Sequence, residues 1–115
     1  MNVTIYHNPK CETSRNVLAI IREKGMDPTT IEYLKMPLDQ HELRHLIDQM
    51  KVPVRDVVRW KQMAEVAVSG ICETTDDDAM LAAMAAHPIL MNRPIVITPK
   101  GVKLCRPSDR VNEIL

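Results

Sequence analysis

Aromatic residues and glycines are scarce in this chain of 115 residues, which has no Phe, one Trp, two Tyr and three Gly. Its core must therefore be built from aliphatic side chains, and the eight Met serve as flexible fillers of irregular gaps. A chain of this length can bury one core of ordinary size. We therefore expect a single domain over residues 1–115.

The formal net charge of the chain is zero, because 15 Lys and Arg balance 15 Asp and Glu. This balance gives no electrostatic case for nucleic acid or an anionic membrane as the main partner. No apolar stretch approaches membrane-spanning length, and the N-terminus lacks the pattern of a secretory signal. We predict a cytoplasmic protein, a monomer that binds neither nucleic acid nor membrane.

Cysteines are few and far apart: Cys11, Cys72 and Cys105 form no C-x-x-C pair. An odd number at this spacing indicates neither a disulfide framework nor a zinc ribbon. Reduced thiols are typical of cytosolic proteins, so any special cysteine here is special because of its reactivity.

What the chain does contain is a clear order of strands and helices. Residue alternation predicts strands at residues 2–6, 30–34, 95–98 and 102–105. Helical spacing and capping signals predict helices at about 13–24, from Asp39 onward, at 54–63, from 76 to 86, and after Pro107. The first βαβ unit makes its two strands parallel, whereas the last two strands form an antiparallel hairpin. This order predicts a thioredoxin-like α/β domain with a mixed four-stranded sheet and a helical insertion at about 38–88.

A match to H-E-x-x-H, the signature of zinc metalloproteases, runs from His41 to His45. Leu43, Leu46 and Ile47 cluster on one side of this helix, whereas the two histidines project from roughly the opposite side. A catalytic zinc needs a third protein ligand and a shielded cleft, and the sequence offers no obvious third ligand for that face. We predict a solvated helix face and no metal site.

The segment from His7 to Arg15 joins the first strand to the first helix. Pro9 disfavours helix before it, so the helix should begin near Cys11. A helix N-terminus and nearby positive charge lower a thiol pKa, and the thiolate is the reactive form. The same N-terminus offers free backbone N–H groups to an oxyanion. We therefore predict that Cys11 is an activated thiolate beside an anion site.

Three motifs in this order resemble those of the arsenate reductases of the glutaredoxin-coupled class (the ArsC family). They are His-x-x-x-Cys-x-x-x-Arg at residues 7–15, Asn-Arg-Pro at 92–94 and Cys-Arg-Pro at 105–107. The similarity spans nearly the whole chain and is weakest at residues 61–69. The resemblance implies a thioredoxin-like fold with Cys11 as the single nucleophile. It also implies that the oxyanion is held by Arg59, Arg93 and Arg106, whose planar guanidinium groups suit paired oxygen contacts.

The resemblance further implies that Pro94 is a cis-proline facing the active cysteine. For His7 two roles stay open, electrostatic support of the thiolate or a structural hydrogen bond at the strand end; we favour support, with Arg15 alongside. No cofactor is expected to be bound. The implied reaction is attack of Cys11 on arsenate, reduction to arsenite with glutathione as co-substrate, and regeneration of Cys11 by glutaredoxin.

Two alternatives remain open from the sequence. The first is a related thioredoxin-fold thiol reductase that acts on another oxyanion or on a mixed disulfide, since Trp60 stands where family members commonly have Lys. The second is an Spx-type regulator that binds RNA polymerase. Such regulators typically carry a C-x-x-C motif, and this chain has Ser14 at the position of its second cysteine. A low-molecular-weight phosphatase is excluded, because its C-x5-R motif would need Arg where Val17 stands.

Overall fold

The computed structural model describes residues 2–115, and the chain divides into two compact units. One unit combines residues 2–36 with Arg93–Leu115, and the other is Pro37–Asn92. The predicted single domain, with its insertion at about 38–88, stays a prediction.

The first unit is built on a four-stranded sheet. Its elements are β1 (Thr4–His7), α1 (Glu12–Glu23), β2 (Thr29–Glu32), β3 (Ile95–Thr98), β4 (Gly101–Leu104) and a 3-10 helix at Ser108–Glu113. The strand order is β2-β1-β3-β4, with β1 parallel to β2 and antiparallel to β3, and β3 antiparallel to β4. The predicted thioredoxin-like α/β fold with a mixed four-stranded sheet is confirmed.

The core of this unit is aliphatic, as the scarcity of aromatic residues requires. Val17 and Ile21 lie one turn apart on α1 and are fully buried against Ile5 of β1 and Val96 of β3. The chain closes with the 3-10 helix at Ser108–Glu113 where we predicted a helix after Pro107, and its Val111 joins the same core. The packed core between the sheet and α1 therefore supports the junction of β1 and α1, which carries Cys11.

The second unit consists of helices. It contains α2 (Gln40–Met50), a 3-10 helix at Val54–Asp56, α3 (Met63–Ser69), α4 (Asp77–Ala86) and a 3-10 helix at Pro88–Leu90. The helix predicted from Asp39 onward is present as α2 and begins with a capping box, because Asp39 and Glu42 each accept a hydrogen bond from the other's backbone N–H. His41 and His45 are exposed on α2, on the face that the sequence predicted to be solvated.

The predicted helix at residues 54–63 is wrong. Of residues 54–62 only Val54–Asp56 is helical, and Val58 then forms an isolated antiparallel bridge with Met91. The Arg59 N–H donates to the Leu90 carbonyl at 2.7 Å. In a continuous helix these backbone groups would bond to neighbours one turn away, whereas here they bond to the segment at Leu90 and Met91. The chain therefore becomes helical again only at α3.

Residues 2–115 contain neither a membrane-spanning helix nor a metal-binding cluster. No helix among these residues is long and apolar enough to cross a bilayer. Over the same span, no group of three or more His, Cys, Asp or Glu side chains is arranged to hold a metal ion. The cytoplasmic location and the monomeric state stay predictions.

Candidate active site

Cys11 lies at the mouth of α1, in the N-cap position, with an extended backbone (φ −93°, ψ 121°). The preceding turn is closed by two hydrogen bonds to Asn8: the Cys11 N–H donates to its carbonyl and the Lys10 N–H to its side-chain Oδ1, each at 3.0 Å. Pro9 occupies this turn, and α1 begins after it, as the sequence predicted. The thiol is thus presented at a helix N-terminus, half-buried.

Two of the predicted arginines lie in the same unit as Cys11. Arg106 Nη1 is 3.7 Å from Cys11 Sγ and donates to the Arg93 carbonyl oxygen at 2.9 Å. Arg93 is buried, with 7% of its surface exposed. The peptide bonds Arg93–Pro94 and Arg106–Pro107 are both cis. Arg106 therefore reaches the Cys11 sulfur from a distant part of the sequence, and its guanidinium group is also bonded to the Arg93 carbonyl.

The Cys11 thiol is poised toward its ionised form. Burial acts to raise its pKa, but the backbone N–H of Ser14 and the side chains of Arg106 and Arg93 outweigh burial. The net result is a pKa below the ordinary value for cysteine. The groups that stabilise the thiolate are also the groups that would attract an oxyanion.

His7 and Arg15 flank the Cys11 turn but make their own contacts. His7 ends β1, is buried, and has its Nδ1 2.6 Å from Ser14 Oγ. Arg15 is exposed on α1, and its Nη1 donates to the Pro9 carbonyl at 2.8 Å. Their predicted support of the thiolate stays a prediction.

Ser14 and Asn8 are site residues that the sequence analysis did not identify. Ser14 is fully buried, and its Oγ also accepts from the Asn8 N–H at 3.1 Å. A signal for Ser14 was present, since it shares the inward spacing of Val17 and Ile21 on α1. Asn8 stands before a proline, a pattern typical of turn initiation.

Arg59 lies in the helical unit, half-buried, in the segment after the 3-10 helix at Val54–Asp56. Its Nη1 donates to Asn92 Oδ1 at 3.4 Å, and the Asn92 N–H donates to the Val57 carbonyl at 2.7 Å. Its predicted role as an oxyanion ligand stays a prediction.

The other two cysteines have different surroundings. Cys72 is exposed in the loop between α3 and α4, and hydrogen bonds from Thr74 and Thr75 lower the pKa of its thiol to about 7. Cys105 is buried in the core of the α/β unit, and burial raises the pKa of its thiol to about 12. Cys105 is therefore inert in the folded chain. Cys72 is ionisable, but it belongs to the helical unit and not to the unit that contains Arg93 and Arg106.

The chain is similar to known proteins over nearly its whole length. The sequence profile of the ArsC family matches residues 6–114. An arsenate reductase of Escherichia coli is 50% identical over 115 residues, which cover 99% of this chain and 81% of that protein. An arsenate reductase of Rhizobium meliloti (strain 1021) is 48% identical over 117 residues, covering 100% of this chain and 82% of that protein.

A solved structure shows the same likeness in three dimensions. The arsenate reductase from Vibrio cholerae superposes with a TM-score of 0.93 at 40% sequence identity, covering 100% of this chain and 98% of that one. Sequence and fold therefore agree over the whole described length.

Proposed function

The chain belongs to the ArsC family, and we propose that it is an arsenate reductase, which reduces arsenate to arsenite through Cys11. One observation carries the proposal: the Cys11 sulfur lies at a helix N-terminus, 3.7 Å from the Arg106 guanidinium group. Relatives about half identical to the chain are named arsenate reductases, which supports arsenate as the oxyanion.

In the first step, the Cys11 thiolate attacks arsenic(V) and forms an S–As bond. One arsenate oxygen takes up protons and leaves as water. Arg106 and Arg93 neutralise the anion as it approaches and stabilise the charge that builds on its oxygens during attack. From the resemblance alone we add Arg59 as a third ligand of the oxyanion.

In the second step, glutathione supplies the electrons. Its thiolate forms a disulfide bond with Cys11 Sγ while the S–As bond breaks, and the electron pair of that bond stays on arsenic. Arsenic is thereby reduced from the pentavalent to the trivalent state and leaves as arsenite. Glutaredoxin then takes the glutathionyl group by thiol–disulfide exchange and returns Cys11 to the thiolate.

The cysteine content supports an external reductant. The position three residues after Cys11 is Ser14, so the helix carries no resolving thiol there. Cys105 is buried with a raised thiol pKa, which makes it a poor nucleophile. A one-thiol site of this kind needs a second thiol from solution, and glutathione is the co-substrate we propose.

The experiment is a coupled assay of arsenate-dependent NADPH consumption with glutathione, glutaredoxin and glutathione reductase. We expect turnover by the unaltered chain and none above background by Cys11→Ser, because a hydroxyl does not form the thiolate adduct. Cys72→Ser is the matched control and should retain turnover, since it makes the same change at the other ionisable thiol.

Two outcomes would contradict the proposal in different ways. If the unaltered chain gives no arsenate-dependent turnover, arsenate is not its substrate. If turnover survives Cys11→Ser, the nucleophile is wrong. Omitting glutaredoxin and then glutathione, one at a time, tests the reductant, and each omission should stop multiple turnover.

A further inference from the structure

Ser14 is a polar side chain buried at the junction of β1 and α1. It is 0% exposed and lies on the inner face of α1 with Val17 and Ile21. Its Oγ is 2.6 Å from His7 Nδ1 and 3.1 Å from the backbone nitrogen of Asn8. One hydroxyl therefore links the end of the strand, the turn and the first turn of the helix.

The direction of these hydrogen bonds follows from what each atom can donate. The Asn8 N–H only donates, so Ser14 Oγ accepts there. The hydroxyl hydrogen then needs an acceptor, and His7 Nδ1 is the other hydrogen-bond partner of Oγ within residues 2–115. Nδ1 accepts only when it carries no proton, which places the imidazole proton on Nε2 of a neutral ring. The reverse direction would leave the buried hydroxyl hydrogen of Ser14 without an acceptor, which is unfavourable for a buried polar group.

The charges that face His7 agree with a neutral ring. Burial lowers the pKa of His7, and Arg22 and Arg15 on α1 lower it further, while Glu32 on β2 opposes them. The net pKa lies below the ordinary value of 6.5, so the ring takes up a proton only in more acidic solution. At neutral pH the imidazole therefore accepts from Ser14.

We propose that Ser14 is a positioning residue, whose hydroxyl ties neutral His7 to the mouth of α1 and so holds the Ser14 backbone N–H toward the Cys11 thiolate. The proposal deepens the proposed function and rests on Cys11 as its nucleophile. It assigns His7 a structural hydrogen bond rather than a positive charge beside the thiolate. Thiolate stabilisation then comes from the backbone N–H of Ser14 and from Arg106 and Arg93.

The first test is the protonation state of His7 in the unaltered chain, read from long-range ¹H–¹⁵N NMR spectra of the imidazole groups. His7→Gln identifies the His7 signals by their loss. We expect the neutral ring with the proton on Nε2 at pH 7. A doubly protonated ring, or a neutral ring with the proton on Nδ1, would overturn the proposal. This readout does not require any Ser14 variant to fold.

The second test is the pH dependence of Cys11 alkylation by iodoacetamide, followed on the Cys11 peptide by mass spectrometry. For Ser14→Ala we expect the midpoint to move to higher pH, with alkylation about three- to tenfold slower below the midpoint, since one unit of pKa is tenfold in thiolate. Ser14→Thr keeps the hydroxyl and should restore most of the rate.

Thr13→Ala is the matched control, because it removes a hydroxyl from the neighbouring, partly exposed position of the same helical turn. If Ser14→Ala and Thr13→Ala give the same profile, the hydroxyl of Ser14 does not position the site. Neither arsenate nor glutathione is present in these measurements. Failure of the coupled assay would therefore count against the arsenate assignment and leave these results standing.

Discussion

The Cys11 turn and the Cys72 loop both hold a thiol whose pKa lies below the ordinary value, yet they lower it in different ways. At Cys72 the hydroxyl of Thr74 lies 3.1 Å from the sulfur and that of Thr75 lies 3.6 Å away, and these neutral donors bring the pKa to about 7. At Cys11 burial acts against ionisation, and the Ser14 N–H with Arg106 and Arg93 overcomes it.

A reactive thiolate and an oxyanion site are therefore separable properties. Hydroxyl donors stabilise a thiolate by hydrogen bonding but carry no net charge, so a second anion that approaches Cys72 meets repulsion. The guanidinium groups beside Cys11 offset the charge of the thiolate and of an incoming oxyanion together. The arginine side chains beside Cys11, more than the size of its pKa shift, distinguish this candidate arsenate site from a cysteine such as Cys72 that is only ionisable.

Among the tests of this comparison, the largest effect is expected from removing Arg106, whose guanidinium group lies 3.7 Å from the Cys11 sulfur. Arg106→Ala should lower kcat for arsenate reduction by about 10²- to 10³-fold, the loss typical of deleting one oxyanion donor. Arg106→Lys should recover part of the rate, because it returns the charge without the planar pair of donors. The coupled assay with arsenate measures both variants.

Arg110→Ala is the matched control for that experiment. Arg110 lies four residues further on, is exposed, and pairs with Glu113 at 3.5 Å across the surface. We expect it to retain nearly full turnover. Equal losses for the Arg106 and Arg110 variants would show that the cation beside Cys11 has no special part in catalysis.

The sequence was sufficient to predict the fold and to single out Cys11 as the candidate nucleophile. Periodic apolar residues predict every strand of the sheet to within about two residues, and Pro9 predicts that α1 begins close to Cys11. The motifs around Cys11, Arg93 and Arg106 predicted them as site residues, although nothing in their spacing along the chain shows that Arg106 Nη1 comes within 3.7 Å of the sulfur.

Two features depend on contacts that no local pattern encodes. The helical spacing of Ser14 shows that it faces inward, but not that folding brings its hydroxyl to His7 and the Asn8 N–H in the buried junction. Residues 54–63 have good helical spacing, but the bridge from Val58 to Met91 competes for their backbone hydrogen bonds. Long-range pairing overrode local propensity in the second case, and side-chain hydrogen bonding created the site contact in the first.

A smaller effect is expected when the charge of an alkylating agent is varied. Iodoacetate is an anion and iodoacetamide is neutral, so the ratio of their rates reports the local electrostatic field rather than the thiolate fraction. We expect this ratio to be on the order of 10-fold higher for Cys11 than for Cys72 at low ionic strength, and to fall as salt is added.

Peptide-resolved mass spectrometry gives both rates in one sample, and Arg106→Ala provides the control. That variant should lower the Cys11 ratio and leave the Cys72 ratio unchanged. Similar ratios for both thiols in the unaltered chain would contradict the view that only Cys11 lies in a cationic site.

Removing one hydroxyl at Cys72 should have a still smaller effect. In the unaltered chain, Cys72 alkylation by iodoacetamide should reach half its maximal rate at about pH 7. Thr74→Val deletes the largest contribution to the lowered pKa, so the midpoint should rise and the rate at pH 7 should fall several-fold. Thr74→Ser keeps the hydroxyl and should preserve the midpoint; an unmoved midpoint in Thr74→Val would assign the low pKa to another group.

The smallest expected effect is on arsenate turnover when Cys72 itself is replaced. Cys72→Ser should change kcat and KM for arsenate by less than about twofold, because its thiolate is stabilised by neutral hydroxyls and has no role in the proposed steps. The same variant should lose the alkylation phase with a midpoint near pH 7.

A large loss of multiple turnover together with normal single-turnover formation of arsenite would instead identify Cys72 as a resolving thiol. Glutathione would then not be the sole partner of Cys11, and the low pKa of Cys72 would have a function after all.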